Sequence, residues 1–113
     1  MMSQLPKRDW STQKRRACSA TEIVSHLAKL EGWQLTGDGA SLAVEKTFHF
    51  ANYFETMVFV NAVALVAHKQ DHHPDLQVHY NRCVVRFNTH DVSGISQTDL
   101  DCAAQADALL AAA

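Results

Sequence analysis

The sequence predicts an α+β domain in which a four-stranded antiparallel sheet carries three helices packed on one face, in the order α-β-β-α-β-β-α. Three observations predict it. Four short segments alternate apolar and polar residues with a period of two, three longer segments repeat apolar residues at helical spacing, and turn-forming residues join the strands in pairs. With 113 residues, 47% of them hydrophobic and 19% charged, the chain has the balance of one globular domain and is too short for two cores.

Residues 1 to 18 carry Pro6, Trp10 and the basic run Lys14, Arg15, Arg16 without apolar periodicity, the pattern of a mobile N-terminal arm; residues 19 to 113 form the domain. Ser19 and Glu22 make a capping box, and Ile23, Leu27 and Leu30 recur at helical spacing, so a first helix is expected to begin there and to stop at Gly32. Trp33 to Leu35 is expected as a short strand that turns through Gly37, Asp38 and Gly39 into a second. In that second strand Leu42, Val44, Phe48 and Phe50 share the core face, with Lys46 as the exception.

From Asn52 to about Lys69 the spacing predicts a long helix with two apolar stripes. Phe54, Met57, Val58, Asn61 and Leu65 form one, and Phe59, Val63 and Val66 the other. No charge appears from Thr56 through Ala67, so this helix either crosses the centre of the domain or lies partly in an oligomer interface. Pro74 disfavours helical geometry at His73 and is expected to end the segment before the pair His72, His73 turns outward. Leu76, Val78 and Tyr80 then alternate as a third strand, Asn81 and Arg82 form a tight turn, and Cys83, Val85 and Phe87 share one face of a fourth strand reaching Thr89. The last helix is expected from Ser96, capped with Asp99, through Leu110.

Ten basic against twelve acidic residues leave a formal charge of -2, which offers no bulk attraction for nucleic acid. Cys18, Cys83 and Cys102 are odd in number and widely spaced, as expected of reduced thiols in a cytoplasmic protein. The first ten residues lack the pattern of a secretory signal, and the apolar stretch Met57 to Ala67 is far shorter than the roughly 20 residues that span a bilayer.

Seven histidines are many for this length, and His68, His72, His73 and His79 fall within twelve positions, with His90 on the next strand. His26 and His49 read as ordinary structural histidines. His68 and His72, four apart, would share a helix face and suit a metal, but the residue after His68 is Lys69 and not the glutamate of the zinc-protease pattern. The third reading is general acid/base catalysis by His72, His73 and His90, because imidazole donates and accepts protons near neutral pH and loops on a rigid scaffold are where function concentrates.

The stretch from His68 to Asp99 resembles the signature of the pterin-4a-carbinolamine dehydratases: a polar residue at His68, then His72, His73 and Pro74, an aromatic at Tyr80, His90 ten positions later and Asp99 nine beyond that. The resemblance extends to Gly32 and Trp33, to Phe48, His49 and Phe50, and to Gly94, Ile95 and Ser96, about 80 to 90 residues in all, leaving the arm outside. Two positions depart from the pattern. His68 stands where the family commonly has glutamate, and Leu76 where animal members often carry an aromatic residue.

The resemblance implies removal of water from a 4a-hydroxytetrahydropterin to give the quinonoid dihydropterin, a step of tetrahydrobiopterin recycling, with no metal or organic cofactor, the pterin being the substrate. It implies catalytic roles for His72, as leading general acid, and for His73 and His90, as base and positioning groups. Asp71, Asn88, Thr89 and Asp91 would join them in holding substrate, with His68 and Asp99 behind, Asp99 serving equally well as a helix cap. The partners implied are the carbinolamine itself, further copies in a homodimer or homotetramer, and a functional link to an aromatic amino-acid hydroxylase. A non-catalytic pterin-binding or assembly module of the same fold is the alternative, since animal members also stabilise the dimer of a homeodomain transcription factor.

Overall fold

The computed structural model describes residues 5 to 12 and 14 to 111. Its elements follow the expected order: α1 (Ala20–Leu27), β1 (Gln34–Thr36), β2 (Ala43–His49), α2 (Tyr53–Gln70), β3 (Asp75–Val78), β4 (Arg82–Phe87) and α3 (Gln97–Ala111). All strand pairs are antiparallel and the spatial order is β1-β2-β4-β3, which puts the two hairpins side by side with β2 and β4 at the centre. Register pairs Val44 with Phe87, Lys46 with Val85 and Phe48 with Cys83, so these residues share the face covered by the helices. Val44, Phe48, Cys83, Val85 and Phe87 are buried there with Phe59 and Val63 of α2 and Leu100, Ala103 and Ala106 of α3.

The capping box at Ser19 forms as the sequence predicts: its hydroxyl accepts from the Glu22 N–H at 3.2 Å, while the Glu22 carboxylate accepts from the Ser19 N–H at 2.9 Å. The helix ends earlier than expected, at Leu27, because the Lys29 and Leu30 N–H groups bond to carbonyls three residues back and tighten the chain into turns. Gly32 still closes this segment, with φ of +85°. At Gly37, φ is +75° and an added Cβ would sit 2.5 Å from the Ser41 carbonyl oxygen, so only glycine fits the hairpin connection. The second hairpin turns one position earlier than expected: Tyr80 lies in the connection and Arg82 already opens β4.

Lys46, the polar exception on an apolar face, has a physical explanation. Its ammonium stands 4.9 Å from the centre of the Phe48 ring and donates to Asp107 of α3 at 2.9 Å and to the Glu31 carbonyl at 3.0 Å. The Trp33 indole N–H donates to the same carboxylate at 3.1 Å. Asp107 therefore ties α3 to both β2 and the segment before β1.

Of the two stripes of α2, only Phe59, Val63 and Val66 enter the core; Phe54, Val58 and Leu65 remain 76%, 54% and 44% exposed. The three cysteines are free thiols, and burial pushes Cys83 up and, with the charges of Asp99 and Asp101, Cys102 up to about 12. No helix among the described residues is long and apolar enough to cross a membrane.

Two outcomes follow from this packing. Asp107→Ala leaves the Trp33 N–H and the Lys46 ammonium without their shared acceptor and is expected to cost about 1–3 kcal/mol in urea unfolding. A thiol reagent at pH 8 should leave Cys83 and Cys102 unmodified in the native protein and label both after unfolding, since neither supplies thiolate while buried.

Candidate active site

Three segments of the domain meet at one end of the sheet: the exit of α2, the exit of β4 and the start of α3. At the first, Asp71 adopts the left-handed conformation (φ +46°, ψ +48°), its N–H bonding to the His68 carbonyl at 3.1 Å and the next N–H, of His72, to Ala67 at 3.1 Å. This is a helix-ending reversal built without glycine. It swings His72 inward, where it is 5% exposed and lies nearly parallel to the Phe87 ring at 6.2 Å, while His73 faces solvent. The expected outward turn of the pair thus holds for His73 alone, because the left-handed residue precedes the histidines and Pro74 acts only after them.

At the second segment the Thr89 N–H donates to the Gly94 carbonyl at 2.9 Å, closing a short loop whose 3-10 turn, His90–Val92, presents His90 to solvent. Thr89 itself turns inward: its hydroxyl donates to Asp99 at 2.6 Å and meets the Ser96 hydroxyl at 2.7 Å. It is fully buried, so its side chain supports the site and does not line it, a correction to its expected place beside substrate.

Asp99, in the first turn of α3, is also fully buried. Its Oδ2 accepts from the Ser96 N–H at 2.9 Å as well as from Thr89, and its Oδ1 lies 2.6 Å from His72 Nε2. The two roles left open for this residue are both visible in the geometry: it caps α3 and it holds a site histidine. On the other side of the imidazole, Arg15 Nη1 lies 3.1 Å from Nδ1. A guanidinium has only donors, so Nδ1 must accept, leaving the Nε2–H to donate to Asp99. Both nitrogens of His72 are occupied, which weakens its expected role as leading general acid.

A cavity of ≈ 360 Å³ opens beside this triad. His72, His73 and His90 line it, and so do Asp71, Asn88 and Asp91 of the expected substrate set, together with Arg15. His68 is elsewhere, with Nε2 3.0 Å from the Leu5 carbonyl oxygen. Since α2 ends at Gln70, His68 and His72 do not share the helix face that a metal pair would require. Among the described residues no three histidine, cysteine, aspartate or glutamate side chains are grouped to hold a metal ion.

Arg15 is the residue that sequence reasoning missed. It sits in the basic run assigned to a mobile, solvated arm, yet the described part of that arm lies on the domain. The Arg8 N–H donates to the Lys69 carbonyl at 2.8 Å, the Trp10 indole to the Gln70 carbonyl at 2.7 Å, and the Cys18 N–H to the Ile95 carbonyl at 2.7 Å. Trp10 is the only local signal in the sequence: a lone large aromatic in a polar segment has reason to seek a surface.

The model of the family described as pterin 4 alpha carbinolamine dehydratase matches residues 16 to 109. A protein of Paracidovorax citrulli bearing the name "Putative pterin-4-alpha-carbinolamine dehydratase" is 69% identical over 110 residues, covering 97% of this chain and 95% of the relative. One of the same name from Bdellovibrio bacteriovorus is 49% identical over 98 residues, covering 83% and 78%. Among solved structures, a transcriptional coactivator/pterin dehydratase from Brucella melitensis superposes with a TM-score of 0.76 at 30% identity, covering 81% of this chain and 96% of that one. A pterin dehydratase-like protein identified as a RuBisCO assembly factor in the alpha-carboxysome shares the fold, with a TM-score of 0.59 at 22% identity over 70% of this chain and 89% of that one. With the match running from the end of the arm to the last turns of α3, the chain belongs to the pterin-4α-carbinolamine dehydratase family.

Proposed function

We propose that this protein dehydrates a 4a-hydroxytetrahydropterin by histidine acid/base catalysis. The observation that carries the reading is that two exposed imidazoles, His73 and His90, line one cavity with a third, His72, that is hydrogen-bonded at both nitrogens. Loss of the 4a-hydroxyl needs a proton on the departing oxygen, because hydroxide leaves poorly. As the C4a–O bond breaks, the N5 lone pair forms the C4a=N5 bond and the proton on N5 passes to a base. The products are water and the quinonoid dihydropterin, and the acid and base exchange one proton in opposite directions.

We assign those two transfers to His73 and His90, whose exposed rings line the cavity and carry nitrogens that can donate and accept. This moves the acid role away from His72, which is better suited to fix the cavity wall. Asn88, Asp71 and Asp91 supply hydrogen-bonding groups for the polar edge of the pterin. The reaction places the protein after an aromatic amino-acid hydroxylase and before a reductase that regenerates the tetrahydropterin. No metal or organic cofactor is required by this scheme.

The exposed stripe of α2 supports a second part of the reading, assembly into a homo-oligomer. Phe54 and Val58 lie one turn apart on one face, with Leu65 two turns further along, and a stripe of that size left in water favours a matching apolar surface. The twofold pairing of like helices meets that need with the chain's own residues.

The ultraviolet decay of enzymatically generated 4a-hydroxytetrahydropterin should accelerate on addition of the protein, with chelator present. His73→Ala and His90→Ala should each lower the stimulated rate by about 10²- to 10⁴-fold while leaving the thermal transition in place. Full activity in both variants would overturn the assignment, and no acceleration by the native protein would favour a binding module. For assembly, Phe54→Asp combined with Val58→Asp should shift the mass in sedimentation toward the monomer; an unchanged mass would remove α2 from the interface.

A further inference from the structure

We infer that Arg15 is a positioning residue of the active site, contributed by the N-terminal arm, which holds His72 in its neutral Nε2–H form and braces the His90 loop against it. The inference rests on the acid/base reading above and goes beyond it, since Arg15 precedes the residues matched by the family model.

The geometry of Arg15 is that of a built-in part. Its side chain is only 12% exposed although it belongs to a polar, basic segment. One nitrogen donates to His72 Nδ1 at 3.1 Å and another meets the Asp71 carbonyl oxygen at 3.5 Å, so the fork grips both sides of the reversal that aims His72. The same guanidinium is 3.8 Å from the carboxylate of Asp91, the neighbour of His90. One planar cation therefore bridges the two histidine-bearing loops, which are otherwise joined through Asp99.

What holds Arg15 in place is the rest of the arm. Its guanidinium stacks on the Trp10 ring at 3.9 Å, and that of Arg8 stands against the same ring at 4.4 Å. The Trp10 indole N–H is in turn bonded to the last carbonyl of α2, that of Gln70. Arg16, next in sequence, points away and is paired with Glu22 at 2.7 Å, so the basic run is divided between two structural tasks.

The consequence is chemical. With a cation donating to Nδ1, adding a proton there would set two donors facing each other, so His72 stays neutral and its one hydrogen stays on Nε2 toward Asp99. A ring fixed in one tautomer gives the cavity a wall of constant charge, against which His73 and His90 can exchange protons. Without Arg15 the Asp99 carboxylate still takes the Nε2–H, but Nδ1 is left open to a second proton and the imidazolium becomes accessible.

The test is nitrogen NMR of the full chain labelled at the histidine rings, paired with steady-state kinetics on the carbinolamine. In the native protein, His72 should show the correlation pattern of a neutral Nε2–H imidazole across the neutral pH range. Arg15→Met, which keeps an apolar stem but has neither the charge nor the donors of the guanidinium, should convert that pattern to that of a protonated ring. It should lower kcat about 10- to 100-fold with a smaller change in KM, and Trp10→Leu should act in the same direction. An unchanged His72 spectrum in Arg15→Met would overturn the inference, and so would an altered spectrum with unchanged kcat. If the native protein proves to have no dehydratase activity, the proposed function fails, while the spectrum alone still supports or refutes the hold of Arg15 on His72.

Discussion

The buried carboxylate of Asp99 is the constraint on which the site depends. A charge with no exposed surface is costly unless hydrogen bonds replace its water, and here three donors do so: the Ser96 N–H, the Thr89 hydroxyl and the His72 Nε2–H, while the Ser96 hydroxyl supports the set by donating to Thr89. Those donors come from three places. Ser96 belongs to the entry of α3, Thr89 to the exit of β4 and His72 to the exit of α2, so satisfying one anion draws together the three chain ends around the cavity. Removing any partner would leave part of that charge unpaired, which is why the arrangement behaves as a unit.

From this anchor the imidazoles divide naturally. His72 is committed on both nitrogens and stacked near Phe87, which makes it a rigid wall. His73 follows it directly and is turned the other way by the extended backbone that Pro74 demands. His90 is offered by a loop whose two ends are pinned by the paired backbone bonds between Thr89 and Gly94. Two exposed imidazoles on a fixed frame suit the proposed reaction, in which one proton arrives as another departs.

The same economy shapes the rest of the domain. Asp107 does for the far end of the sheet what Asp99 does for the near end, binding Lys46 and Trp33 so that α3 is tied to the strands at both of its ends. Between these polar fastenings the interface is made of small and apolar residues, Cys102, Ala103 and Ala106, which allow α3 to approach closely. Helix α2 has no such symmetry. One side is domain core, and the other carries an apolar stripe that a lone copy leaves in water.

Most of the architecture was legible in the sequence, because local rules decide it. Period-two alternation in Cys83, Val85 and Phe87, the helical spacing of Phe59, Val63 and Val66, and the Ser19–Glu22 box all act over a few residues, and the structure agrees with each. Element ends were less legible: α1 stops at Leu27 and the histidine pair splits at Asp71, since a terminus is set by which carbonyl wins a given N–H. The partition of the α2 stripes also needed the sheet, as both look alike until one is covered.

By itself the sequence determined the α+β order, the family and the convergence of His72, His73 and His90, through spacing and motif. Tertiary structure alone decided that Thr89 turns inward, that His72 is held on both sides, and that Arg15 belongs to the site. The physical reason is range. Periodicity and capping couple neighbours along the chain, whereas Arg15 meets His72 from 57 positions away, and the hydrogen bond that joins them has no counterpart in either local pattern.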